Sequence, residues 1–70
     1  MIITIAELRA HVLLREIVQH PGIDADLLGF LPALNRWERE WIEETLADLV
    51  ADDLVADDAH GELYAKRGAA

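Results

Sequence analysis

The chain has 70 residues, 53% of them hydrophobic, which is enough for one small domain and argues against disorder. Fourteen acidic residues against six basic ones give a formal net charge of −8. That balance favours basic partners and disfavours nonspecific attachment to nucleic acid or anionic membranes. Cysteine is absent, so disulfides and thiolate metal sites are excluded.

Met1-Ile2-Ile3-Thr4-Ile5 lacks the basic region and long apolar core of a signal peptide. No apolar run is long enough to span a bilayer, and a soluble, cytoplasmic protein is expected. Thr4-Ile5-Ala6-Glu7 has capping-box spacing, with Ile3 and Leu8 placed for the hydrophobic staple. This predicts a helix to about His20, ended by Pro21-Gly22. Ala10, Leu13, Leu14, Ile17 and Val18 form a wide apolar face suited to the core, while Ile5, Leu8 and Val12 form a second, narrower stripe. A monomer needs one such face. The second stripe packs on the rest of the domain or forms a homodimer seam. A core this small contributes no more than about 3–5 kcal/mol unaided, which favours the dimer.

Asp24 is placed to cap a short second helix, Ala25 to Leu31, stopped by Pro32. Asn35-Arg36-Trp37-Glu38 has the form of another capping box and predicts a third helix reaching about Asp52. On it Ile42, Leu46 and Leu49 share one face, flanked by Thr45 and Val50. Arg36, Glu40, Glu43, Glu44 and Ala47 lie opposite. Trp37 and Trp41, at i, i+4 spacing, read as one stripe that either walls the core or anchors an interface. Stacking on single-stranded bases would need a basic groove beside them.

Leu54 to Asp57 and Glu62 to Ala65 read as short strands around Asp58-Ala59-His60-Gly61, where Gly61 supplies a positive φ. Lys66 to Ala70 reads as a frayed tail, with the domain closing at about residue 66. Asp52, Asp53, Asp57, Asp58 and Glu62 make a dense acidic cluster. Asp52 and Asp53 sit where a helix dipole disfavours anions by about 0.3–1 kcal/mol each. The cluster is either a solvated acidic surface or a docking surface.

Catalytic signals are weak. His11, His20 and His60 do not converge at ligand spacing, and Glu16 with His20 makes only an incomplete pair. Serine is absent as well as cysteine, and Thr4 and Thr45 have capping and packing roles. There is no phosphate-cradling glycine loop. Neither an enzyme nor a bound cofactor or metal is expected.

Helices at these lengths followed by a hairpin resemble a winged helix-turn-helix domain of the kind found in small bacterial and phage regulators of the ArsR and MarR type. The supporting residues are Pro21-Gly22-Ile23, Leu34-Asn35, and the run Leu46 to Val55 leading to Gly61-Glu62-Leu63-Tyr64. The resemblance covers roughly residues 5 to 66 and implies a mainly α fold of three helices with a β-hairpin wing. It also implies that Ile23 bridges to the wing and that helix three and the wing read DNA. Here those DNA-facing positions are Arg36, Arg39, Glu40, Glu43 and Glu44, and the wing tip runs from Asp57 to Glu62.

Carboxylates at both contact elements repel phosphate. The leading expectation is therefore a non-catalytic module, homodimeric through Ile5, Leu8 and Val12. It binds a protein with a basic surface through Glu40, Glu43, Glu44, Asp57, Asp58, Trp37 and Trp41. A phage or bacterial regulator or inhibitor fits, including one that mimics DNA. The alternative is a dimeric sequence-specific DNA-binding repressor using Arg36, Arg39, Lys66 and Arg67.

Overall fold

The computed structural model describes residues 4–58 and 60–66. Helix α1 spans Ile5–Gln19 and begins where Thr4 Oγ1 accepts a hydrogen bond from the Glu7 N–H at 3.1 Å. Its buried residues are Leu13 and Ile17. Ala10, Val12 and Leu14 are partly buried against the core, whereas Val18 is exposed. The core face of α1 is thus narrower than expected on the Val18 side, and it takes in Val12. Ile3, the other half of the expected staple, lies outside the described residues.

After a turn through Gly22, strand β1 covers Ile23–Asp24. Asp24 then caps the next helix through its side chain, accepting from the Asp26 N–H at 2.8 Å. That helix, Ala25–Phe30, is a 3₁₀ helix. In this geometry residues three apart eclipse. Ala25, Leu28 and Leu31 therefore share the inward row, and they pack into the core. Leu31 is extended (ψ 138°), as the residue before a proline should be.

The third helix departs from expectation at its start. Helix α2 spans Arg39–Ala51 with Glu38 as its cap residue, and no side chain completes the cap. Asn35 is exposed and does not open the helix. The chain instead turns twice at i, i+3 spacing, the Leu34 N–H donating to Leu31 O and the Trp37 N–H to Leu34 O. Burial explains the change: Leu34 is fully buried and Trp37 packs partly against the core. Burying Leu34 alone is worth about 1.5–3 kcal/mol, against about 1 kcal/mol for a side-chain cap. Ile42, Thr45 and Leu49 are the buried residues of α2.

A Schellman motif ends α2. The Leu54 N–H reaches Leu49 O and the Asp53 N–H reaches Val50 O, with Asp53 left-handed at φ 63°. Strands β2 (Val55–Asp57) and β3 (Glu62–Ala65) follow. Their sheet is antiparallel and three-stranded in the order β1-β3-β2, with Ile23 opposite Leu63 and Asp24 opposite Glu62. The expected hairpin is present, and a third strand joins it. The bridging role that the resemblance gave to Ile23 corresponds to this pairing.

Lys66 is not frayed: its N–H donates to Leu54 O at 2.9 Å and its ammonium pairs with Asp53. The tail expected at residues 67–70 lies outside the described residues. The buried apolar core comprises Leu13, Ile17, Leu28, Leu34, Ile42, Leu49, Val55 and Leu63, drawn from every element except the two-residue β1. Among the described residues, no helix is long and apolar enough to cross a membrane.

Candidate functional site

Helix α2 turns Ile42, Thr45 and Leu49 inward, and that orientation fixes what its other side presents. Glu40, Glu43 and Glu44 are all exposed. Arg39 Nε donates to Glu43 Oε1 at 3.2 Å in a solvent-exposed i, i+4 pair. Such a pair contributes little to stability, but it engages one of the two arginines assigned to DNA contact at the start of helix three. The other, Arg36, is exposed in the turn before α2 and not on the helix. Lys66 is engaged by Asp53, and Arg67 lies outside the described residues.

The two tryptophans do not form one helical stripe, because Trp37 precedes α2. Trp41 lies on the helix and is half-buried, with the Arg9 guanidinium of α1 stacked 4.0 Å from its ring centroid. That cation–π contact ties α1 to α2 and gives Trp41 a packing role. Trp37 instead faces a cleft of about 600 Å³ between the 3₁₀ helix and α2. Ile42 and Leu46 line it from α2, and Gly29 and Phe30 from the 3₁₀ helix. Asp26, Arg39 and Glu43 supply its polar lining.

Phe30 is 80% exposed and Leu27 52%. Both lie on the outward row of the 3₁₀ helix, three residues apart, so burying Leu28 forces them outward together. The sequence reading missed this pair. The signal was available in Leu27-Leu28-Gly29-Phe30, four residues of which a single short turn of helix cannot bury every apolar side chain.

The acidic hairpin has a different character. Asp58 Oδ1 accepts from the His60 N–H at 2.8 Å and from the Glu62 N–H at 3.0 Å. Gly61, at φ 79°, completes the loop. Asp53 occupies the left-handed cap position, which aspartate tolerates better than most residues, and its charge meets Lys66. Glu62 accepts from the Tyr64 hydroxyl at 3.0 Å. This hydrogen bond, reinforced by the carboxylate charges of Glu62 and Asp58, raises the phenol above its ordinary value of 10.0. Three of the five clustered acids thus have local partners, while Asp52 and Asp57 are exposed.

On α1, Ile5 and Leu8 are 68% and 55% exposed, but Val12 packs partly against the core. The expected seam therefore reduces to Ile5 and Leu8 on the open surface. No group of three or more metal-ligating side chains converges among the described residues. No protein-family model, curated protein or solved structure matches the chain.

Proposed function

We propose that this domain is a non-catalytic winged helix-turn-helix module that docks on the basic surface of a partner protein through the outward side of α2. The element order and the sheet order β1-β3-β2 support the winged-helix reading, with α2 in the position of a recognition helix and β2–β3 as the wing. The observation that carries the function is the chemistry of α2. Glu40, Glu43 and Glu44 are all turned to solvent, and the neighbouring Arg39 is paired with Glu43. A duplex brought to that side would set phosphates against carboxylates, whereas lysines and arginines of a protein would be attracted. Asp57 and the acidic hairpin extend the same sign of charge. A small regulator or inhibitor that occupies a nucleic-acid-binding protein fits this surface, and the exposed Ile5 and Leu8 suit a homodimer seam.

Charge reversal tests the proposal because the competing repressor reading gives the opposite sign. The immobilised domain should capture a protein from lysate, and Glu40→Lys with Glu43→Lys should lose it, as should raised salt. If the wild type instead forms a specific, saturable duplex complex near physiological salt, the proposal fails. In that case the same double variant should bind DNA more tightly and Arg36→Ala should bind it less.

A further inference from the structure

Nothing in the fold requires glycine at position 29. Its backbone lies outside the left-handed region that Gly22 and Gly61 occupy. A Cβ built there would lie 3.8 Å from Ile42 Cδ1, an ordinary contact. Glycine within a helical segment is less stable than alanine, so the fold alone would favour a side chain. What the missing side chain leaves is room, because Gly29 lines the cleft between the 3₁₀ helix and α2.

The rest of the cleft fits the same purpose. Phe30, 80% exposed, stands beside it without contributing to the core. Trp37 offers a partly covered aromatic wall. Large aromatics in such positions commonly dominate binding energy at interfaces. A volume of about 600 Å³ lies within the usual range for ligand clefts, about 300–1,000 Å³. Asp26 and Glu43 lie in the lining, so acids outnumber the single Arg39 there. A second copy would bring its own net charge of −8 to this acidic rim, which disfavours it as the occupant.

We infer that the cleft between the 3₁₀ helix and α2 is the anchor site for an amphipathic cationic segment of the partner protein. One bulky apolar side chain seats against Gly29, Phe30 and Trp37, while flanking lysines or arginines meet Asp26 and Glu43. The inference rests on the reading of a basic protein partner and adds where its apolar anchor goes. It also accounts for Phe30, which the charge argument leaves unexplained.

Two peptides separate the claims. One carries leucines at helical i, i+3, i+4 and i+7 spacing with lysines elsewhere, and the other replaces those leucines by serine at equal charge. Two-dimensional NMR of amide and indole groups should show the leucine peptide perturbing Gly29, Phe30 and the Trp37 indole. The serine peptide should bind about tenfold or more weakly. Gly29→Leu, which fills the cleft, and Phe30→Ser, which removes a wall on which the core does not depend, should each weaken the leucine peptide by a similar factor. Gly29→Ala serves as the folding control and should retain the wild-type dichroism spectrum.

If both peptides bind equally and neither variant matters, the anchor site fails while the acidic-surface reading stands. If neither peptide binds, both fail. Perturbation of Trp37 by oligothymidylate and not by the leucine peptide would replace the inference with a single-stranded nucleic-acid site.

Discussion

The hairpin and the 3₁₀–α2 side of the molecule are both acidic, yet their acids do different things. Asp58 organises a loop by accepting two backbone N–H bonds, Asp53 occupies a left-handed helix cap and meets Lys66, and Glu62 holds Tyr64. On α2, Glu40 and Glu44 make no hydrogen bond or ion pair among the described residues, and Glu43 meets only the exposed Arg39. Asp53, Asp58 and Glu62 thus have local structural partners, while on α2 Glu40 has only a favourable place in the first turn, Glu43 its exposed pair with Arg39, and Glu44 neither. Density of charge is a poorer guide to a docking surface than charge left over after local hydrogen bonding is accounted for.

This contrast can be broken most directly at Gly22. A side chain there would be strained at φ 82° and would crowd the Tyr64 hydroxyl at 3.2 Å. Gly22→Ala should cost about 1–3 kcal/mol, visible as a lower midpoint in urea unfolding. Asp58→Ala comes next. Losing a side-chain acceptor shared by two backbone donors should cost about 1–2 kcal/mol, with faster amide exchange at His60 and Glu62. By the same assay Glu44→Ala should stay within about 0.5 kcal/mol of wild type. Equal losses for Asp58→Ala and Glu44→Ala would erase the distinction between the two regions.

Smaller effects sharpen it. Leu8→Glu places charge on an open surface, so it should shift sedimentation equilibrium from dimer to monomer without unfolding. Val12→Glu, against the core, should destabilise the fold itself. A wild type that is monomeric at high concentration would end the dimer proposal. The smallest effect is the titration of Tyr64. Its phenol is raised above 10.0, chiefly by donating to Glu62. The bond therefore contributes fully below the unfolded phenol's value and is lost as pH rises through the higher folded value. Glu62→Gln should lower that titration in an ultraviolet absorbance experiment, and an unchanged curve would remove the assigned cause.

Much of this architecture was legible where one local rule acts alone. Thr4 and Asp24 cap their helices as their spacing demands, and Gly61 supplies the hairpin turn. Legibility failed where two rules competed. Asn35-Arg36-Trp37-Glu38 has a capping pattern, but burying Leu34 and seating Trp37 outweighed it and delayed α2 to Arg39. The 3₁₀ geometry of Ala25–Phe30 was hidden for a similar reason, since a short apolar run does not announce its period. That error concealed the outward Leu27 and Phe30, and with them the cleft. The acidic residues of α2 were identifiable from helical spacing, whereas the structural employment of Asp53 and Asp58 depends on backbone geometry that composition does not encode.

The short strand β1 has a kinetic meaning. The Gly22 N–H donates to Leu63 O and the Ala25 N–H to Gly61 O, on either side of the Ile23–Leu63 pairing. These bonds join the segment after α1 to the last described strand, across roughly 40 residues of sequence. Each helix has local contacts to guide it, but this closure must bear the entropy of a long loop. Folding should therefore resemble a clasp snapped shut last. Opening that clasp would unpair β1 from β3 and leave the β2–β3 hairpin in place.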